Sequence, residues 1–341
     1  MRASASLRPF ATVVLGVSVS VATGRQAHAF CRTSTCPLPP NWDPADAGAC
    51  VPADFVQDCQ TLSPPISPLP LWWRNACVSY DVQEDASQQI PYDTADAIAA
   101  ESFSKWTGTI CANGSQVGRV SIDLRDFGPV ECDLVQYNEN QGNQHVIVFR
   151  DQGSPDFDST NTLGLTTVTF DEDTGEIYDA DVEINSSKTL SVTDPAPPDG
   201  YDFPSIMTHE AGHFLGMAHS VSTETTMYAQ YMQGTTTKRI LSADDMAGIC
   251  TIYPPDGTRA VDPSVTASGF IQEDACDPTP RHGFQSQCAQ PQKSSCSVAG
   301  SEAATSSAVL LVAMSGVGTI GAVRRGRRRW AQGERSARRR G

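Results

Sequence analysis

Basic side chains are scarce over most of this chain. The 341 residues hold 24 Lys and Arg against 39 Asp and Glu, and only 12 of the basic residues fall within residues 30–323. A body this acidic would repel the phosphates of a nucleic acid, which disfavours nucleic-acid binding as its function. The same excess of carboxylates favours solubility and association with Ca²⁺.

Long apolar runs are missing from the middle of the sequence and occur only near its ends. Residues 1–29 place Arg2 and Arg8 before the apolar stretch FATVVLGVSVSVA and close with AHA. This order of basic, apolar and small residues is typical of a secretory signal, with cleavage predicted after Ala29. The apolar run is too short to favour an N-terminal membrane anchor.

A second apolar run, residues 303–323, contains no charged residue and is long enough to span a bilayer. Nine arginines and one glutamate follow it, as expected of a cytoplasmic flank. Together with Cys296 just upstream, residues 296–341 resemble the C-terminal surface-sorting tail of myxobacteria. The resemblance implies processing near Cys296 and display on the outer cell surface. An ordinary single-span anchor is the alternative.

Cysteine is absent from the first 30 residues and then occurs eleven times. With Cys296 assigned to the tail, ten cysteines are left, an even number that an oxidising compartment would pair into as many as five disulfides. Spacing does not determine the connectivity. We expect two local pairs, Cys111 with Cys132 and Cys276 with Cys288.

Internal repeats are absent, and composition divides the chain into five parts. These are a signal peptide (1–29), a Cys- and Pro-rich leader or pro-segment (30–70), one folded domain (71–256), a polar stalk with a small disulfide loop (257–295) and the tail (296–341).

The hydrophobic pattern of residues 71–256 predicts five strands and three helices. Strands are expected at 77–82, 120–126, 145–150, 164–170 and 178–185. Helices are expected at 93–106 with Asp93 as N-cap, from about Asp202 onward, and at 242–253 with a capping box of Ser242 and Asp245. This order predicts a mixed-sheet α/β layout.

Histidine is also scarce, with six in the chain, yet three of the six lie within the segment HEAGHFLGMAH. His209 and His213 are four positions apart, so on a helix they share one face and can hold one metal ion. Neutral imidazole is a preferred zinc ligand. Glu210 would lie beside that metal, where a carboxylate can exchange protons with water. A pair of buried core histidines is the alternative interpretation.

His219 would point away from the other two histidines if the helix continued, because six further residues rotate it by about 240°. Gly216 removes this difficulty, since glycine at a helix C-terminus allows the left-handed conformation that turns the chain. His219 can then reach the same metal. Three histidines and a water make an open tetrahedral site, which is typical of catalytic zinc.

The segment HEAGHFLGMAH resembles the metzincin zinc-protease signature HExxHxxGxxH. Ser220, with Met227 in TTMYAQY, makes it similar to the matrixin branch, over about residues 77–253. The resemblance implies a single α/β (α+β) catalytic domain, a twisted mixed five-stranded sheet with three helices and one catalytic zinc below the edge strand. Its implied site is zinc bound by His209, His213 and His219, Glu210 as general base and acid, and Gly216 and Met227 as structural support.

By the same resemblance, a peptide substrate pairs as an added strand along the edge residues Gly164, Leu165, Thr166 and Thr167. The loop 229–239 would line the side-chain pocket. Tyr228 is expected as a wall residue of that pocket, and stabilisation of the transition state is the alternative role. Outside the signal peptide and the site only His145 and His282 are left, so the second, structural zinc of matrix metalloproteinases is not expected. Ca²⁺ is a second candidate cofactor, near the acidic residues from Asp171 to Asp181.

The sequence therefore predicts a secreted, cell-surface-anchored zinc metalloendopeptidase with a protein or peptide substrate. We expect a monomer on the bacterial outer cell surface or outside the cell, in contact with a membrane through its tail and without a nucleic-acid partner. Two alternatives stay open. One is a surface adhesion module that keeps a structural zinc site, and the other is a hydrolase of a non-protein surface polymer.

Overall fold

The computed structural model describes residues 30–35, 69–113, 116–154, 161–259 and 276–289, together with the backbone of residues 307–315. The predicted signal peptide, the surroundings of Cys296 and the arginine cluster lie outside these residues. So do most of the predicted leader and much of the predicted stalk.

A mixed β-sheet forms the frame of the domain. Its five strands lie in the order β7 (Thr162–Asp171), β8 (Ile177–Ile184), β6 (Val146–Phe149), β2 (Cys77–Gln83) and β5 (Asp123–Val130). Neighbouring strands are parallel except β7, which pairs antiparallel with β8. The central strand β6 has the sequence VIVF and is buried throughout, because a parallel strand is covered on both faces.

Three helices complete the domain: α1 (Tyr92–Thr107), α2 (Phe203–Phe214) and α3 (Ala243–Ile252). The predicted mixed α/β domain with a five-stranded sheet and three helices is confirmed. The capping box on α3 is also confirmed. Pro91, and not Asp93, is the N-cap of α1, because its extended backbone leads directly into a helix that starts at Tyr92.

Helices α1 and α2 pack on one face of the sheet. Phe103 and Trp106 of α1 meet Phe203 and Phe214 of α2 in a common apolar core, and the Trp106 indole donates to the Thr208 carbonyl at 2.8 Å. The opposite face carries a smaller apolar cluster of Val130, Val146 and Val148.

Six short strands of the described residues form three pairs outside this sheet. They are β1 (Cys31–Arg32) with β11 (Met217–Ala218), β3 (Ile110–Asn113) with β4 (Gln116–Arg119), and β9 (Leu190–Ser191) with β10 (Tyr201–Asp202). The hairpin of β3 and β4 was not predicted. Because it extends to Arg119, the strand expected at 120–126 begins only at Asp123.

Both expected local disulfides are wrong. Cys111 pairs with Cys250, Cys132 with Cys288, and Cys77 with Cys276. The pairing follows packing rather than sequence separation, since β3, which contains Cys111, lies against α3, which contains Cys250. The bonds of Cys276 and Cys288 tie residues 276–289 back onto the domain, so this part of the predicted stalk is attached to it.

The apolar run predicted to span a membrane contains a strand where the structure describes it. Residues Ser307–Ser315 form β12, which pairs antiparallel with β7 and adds a sixth strand to the sheet. Among the described residues, no helix has the length and apolarity needed to cross a membrane. The expected membrane-spanning helix is therefore not found over 307–315, because apolar residues also satisfy their backbone by pairing with a sheet edge.

Candidate metal centre

Helix α2 holds the first two histidines of the predicted site. Asp202 caps its N-terminus by accepting the Ser205 N–H at 3.0 Å, and the Arg239 guanidinium donates to the same carboxylate at 2.8 Å. All twelve residues of α2 are buried. His209 and His213 therefore share one face of a buried and firmly capped helix.

The chain turns at Gly216 and returns with His219. Helix α2 ends at Phe214, and Gly216 has a φ of 92°, in the left-handed region that favours glycine. The ring centroid of His219 then lies 5.2 Å from that of His209 and 4.7 Å from that of His213. The structure thus brings the three histidines together, with one ligand nitrogen from each within 4.8 Å of the others.

The returning segment is held by residues that the sequence assigned to a leader. Strand β1 pairs with β11, the Thr33 N–H donates to the Gly216 carbonyl at 3.0 Å, and the Thr33 hydroxyl donates to the Met217 carbonyl at 2.9 Å. Thr33 in turn accepts the Leu71 N–H at 2.8 Å. Sequence reasoning missed this contact, because a two-residue strand has no detectable period.

Backbone carbonyls orient two of the three rings. His209 Nδ1 lies 2.7 Å from the Thr226 carbonyl, and His213 Nδ1 lies 2.8 Å from the Met217 carbonyl. A carbonyl only accepts, so each Nδ1 carries the proton and each Nε2 presents a lone pair. The two Nε2 atoms are 3.0 Å apart, and such facing lone pairs are stabilised by a shared cation.

Burial keeps these imidazoles neutral. It holds the pKa of His209 well below its usual range, with the neighbouring His213 adding to the effect, and it lowers the pKa of His213 to about 4. Neutral imidazoles with an anchored Nδ1–H are the ligands that zinc takes in catalytic sites. The residues present therefore fit a zinc ion.

Glu210 lies beside this group, against strand β7. The Thr166 hydroxyl donates to Glu210 Oε2 at 2.7 Å. A Cβ added at Gly164 would stand 2.4 Å from Glu210 Oε1, so only glycine lets the strand pass this close to the carboxylate. Two of the predicted edge residues thus contact Glu210.

On the side that faces β8, all four predicted edge residues are paired, with Leu165 opposite Glu183 and Thr167 opposite Asp181. On the outer side all four edge residues pair with β12. The edge that was expected to be open to a peptide is therefore covered by the chain's own C-terminal segment.

Met227 lies under α2 in a turn held by Asp245. A Cβ at Gly212 would meet Met227 Sδ at 2.4 Å, so the thioether touches the helix backbone between the two histidines. The Asp245 carboxylate accepts the Thr226 N–H at 2.8 Å and the Met227 N–H at 3.2 Å. The sequence indicated Asp245 only as part of a helix cap. Its hydrogen bonds to Thr226 and Met227 form because two segments that are separate in the sequence lie close together in the fold.

Lys238 is a further residue that the sequence did not single out. Its ammonium is buried, donates to the Tyr228 carbonyl and lies 5.3 Å from the Tyr228 ring centroid. Burial lowers its pKa to about 7, while the charges of Asp245 and Glu210 oppose this. The predicted pocket loop thus contains one buried basic group next to Tyr228, whose role as a wall residue stays a prediction.

The remaining predictions fall outside this centre. His145 is buried, packs against Trp73 at a centroid distance of 5.0 Å and has Nδ1 2.9 Å from the Ser79 carbonyl. It also lines a separate cavity of about 450 Å³. Asp171 accepts the N–H groups of Asp173 and Thr174 at 2.9 Å within its own turn. Among the described residues, only the three site histidines bring three ligand atoms within 4.8 Å of one another, and calcium stays a prediction.

Comparison with known proteins points to the same region. The family model described as Matrixin matches residues 72–254, which include the three histidines, Glu210 and Met227. A protein named Metalloendoproteinase 1-MMP, from Arabidopsis thaliana, is 25% identical over 202 residues, which is 58% of this chain and 48% of that protein. The chain thus spans about half the length of this curated relative.

Proposed function

The chain belongs to the matrixin family, and we propose that it is a zinc metalloendopeptidase that hydrolyses peptide bonds in proteins. The observation that carries the proposal is the convergence of three buried histidines beside a buried carboxylate. A purely structural zinc site has no use for a proton-accepting group next to the metal.

The Nε2 atoms of His209 and His213, together with a ring nitrogen of His219, would hold the zinc ion. When bound, zinc supplies a Lewis acid that polarises the scissile carbonyl and lowers the pKa of water. The carbonyls of Thr226 and Met217 keep two of the rings in the ligating tautomer.

Glu210 would move the proton. Its carboxylate takes a proton from the attacking water and then donates it to the nitrogen of the scissile bond, which leaves as an amine. The Thr166 hydroxyl holds Oε2 of this carboxylate, and Oε1 is the oxygen we propose for the proton exchange. This oxygen is the one that approaches Gly164, on the strand along which a peptide is expected to lie.

Purified protein comprising residues 30–295, which lacks β12, tests the proposal when compared with the same protein carrying Glu210→Ala. We expect about one zinc per chain in both, and cleavage of a denatured protein by the wild type alone. A chelator should abolish that cleavage, and added zinc should restore it. Zinc binding without cleavage in either chain would favour an adhesion module. Cleavage only of a non-protein polymer would favour a hydrolase of such a surface polymer.

We also propose that the protein is secreted through residues 1–29 and displayed at the outer cell surface through residues 296–341. The charge pattern of the two ends supports this. Mass spectrometry of protein shaved from the cell surface should recover no peptide beyond the Cys296 region. Recovery of the intact arginine tail would contradict processing there.

A further inference from the structure

The C-terminal segment lies along the edge of the sheet that borders the metal centre. Strand β12 pairs antiparallel with β7 over its whole length, from Ser307 opposite Asp171 to Met314 opposite Gly164. One register shift occurs at its end, between Met314 and Ser315. Without β12, β7 would be the unpaired edge of the five-stranded sheet.

The paired stretch includes the part of β7 that contacts Glu210. Gly164 and Thr166 approach the Glu210 carboxylate, and their partners across the ladder are Met314 and Val312. Residues of β12 also lie within 8 Å, Cα to Cα, of residues of α2. The backbone of residues 312–314 therefore passes directly beside the candidate site.

We propose that the outer edge of β7 is a docking site for the chain's own residues 307–315, and that this docking excludes peptide substrates. A sheet edge offers each N–H and C=O once, so a second peptide cannot pair with β7 while β12 does. The inference rests on the proposed function, because it assigns the same edge to the substrate.

Linkage within one chain makes this competition effective. A tethered segment acts at an effective concentration that reaches the millimolar range for short flexible linkers, far above the usual concentration of a substrate. Cleavage upstream of residue 307 removes the tether and with it the competitor. Processing near Cys296 would then open the cleft as well as release the tail.

Hydrogen–deuterium exchange tests the docking without any need for catalysis. Two proteins are compared: the full chain carrying Glu210→Ala, and the same chain with the added changes Leu311→Pro and Val312→Pro. The β7 amides that point away from β8 should exchange at least about tenfold more slowly in the first protein than in the second. Proline removes the backbone donor and is not tolerated inside a paired strand. Ala303→Pro with Ala304→Pro, upstream of β12, is the matched control and should keep the protection. Equal exchange in all three chains overturns the proposal.

Activity supplies the second readout, in chains that keep Glu210 and bind one zinc. With a denatured protein below KM, the Leu311→Pro and Val312→Pro chain should cleave at least about tenfold faster than the wild type. The proline control should match the wild type. A chain that ends at residue 296 repeats both comparisons if the proline chain fails to fold. Equal rates overturn the proposed exclusion. If no chain cleaves, the proposed function fails, while amide exchange still decides the docking.

Discussion

Two buried polar clusters lie on opposite sides of the sheet and are built in different ways. On the helix side, the three site histidines converge on one point. On the other side, β8 carries Asp179, Asp181 and Glu183, all buried, because alternate residues of a strand point away from the helices. Among the described residues, the oxygens of this second cluster do not converge within 4.8 Å as a group of three, and burial raises the pKa values of Asp179 and Asp181 well above their usual range.

The partners of each cluster explain the difference. Carbonyl acceptors fix the ring N–H of His209 and His213 and leave lone pairs for a cation. In the second cluster, N–H donors occupy both oxygens of Asp181, with Val146 and Gln136 each donating at 2.9 Å. Convergence of lone pairs, and not the number of buried ionisable groups, therefore marks the metal site.

The largest expected effect comes from removing one ligand on the helix side. His219→Ala should lower zinc content below one per two chains and reduce peptide cleavage by about 10³-fold or more, since the metal supplies several kcal/mol of transition-state stabilisation. Asp181→Asn, on the other side of the sheet, should keep zinc content and cleavage rate within about twofold of the wild-type values. Zinc analysis with a cleavage assay measures both. A loss of zinc in Asp181→Asn would contradict the division between the clusters.

A smaller effect is expected where the turn that supports His209 is weakened. Asp245→Asn replaces one acceptor oxygen by a donor group that faces the N–H groups of Thr226 or Met227. Because Thr226 orients His209, zinc affinity should fall by about 10-fold or more, as for other groups that orient a ligand. Competition with a chelator of known affinity measures the change. Unchanged zinc affinity would show that the turn does not position the ring.

The two clusters should respond to pH in opposite directions. Burial raises the pKa of Asp81, near Asp179 and Asp181, to about 8, so the folded chain keeps a proton that the unfolded chain releases above about pH 4. Stability from this group is present at low pH and is lost as the pH rises toward 8. The pKa values of His209 and His213 are lowered, so the stability of their neutral forms is lost as the pH falls below about 6.5.

Asp81→Asn isolates the carboxylate contribution. Between pH 6.5 and 7.5 the free energy of unfolding of the wild type, relative to the variant, should fall by up to about 1.4 kcal/mol per pH unit. The buried Lys238 titrates in the same range but is common to both proteins and cancels. Urea unfolding at several pH values gives this difference, and a difference that does not depend on pH would contradict the buried, protonated state of Asp81.

The smallest effect is expected from the N-terminal contact. Thr33→Val removes the hydrogen bond to the Met217 carbonyl but keeps the shape of the side chain. It should lower stability by about 0.5–1.5 kcal/mol and weaken zinc binding. Thr251→Val removes a similar bond to Ala247 within α3 and should lower stability without changing zinc affinity. Equal zinc affinity in both variants would show that residues 30–35 do not support the site.

Local spacing predicted the parts of the site that depend on one segment. The positions of His209, His213 and Gly216 follow from helix geometry, and the capping box on α3 follows from two residues three positions apart. Thr33 and Asp245 act on the site through contacts 184 and 18 or 19 residues away in sequence, which no periodicity reveals. The disulfide partner of Cys111 was missed for the same reason.

The C-terminal run shows a different limit of sequence reasoning. Its apolar composition fits a bilayer and an apolar sheet edge equally well, because both remove the side chains from water. Whether the run pairs with a sheet edge depends on β7, a strand more than 130 residues earlier in the chain. Ser307 of the run, for example, pairs with Asp171 of β7. Patterning within the run itself carries no information on that partner.

Zinc K-edge X-ray absorption on the full-length chain, loaded with one equivalent of zinc, tests the central claim most directly. We predict one tightly bound zinc with three imidazole nitrogens at about 2.0–2.1 Å and a spectrum that Asp181→Asn leaves unchanged. A zinc ion with mainly carboxylate ligands, or a chain that retains no zinc, would contradict the account.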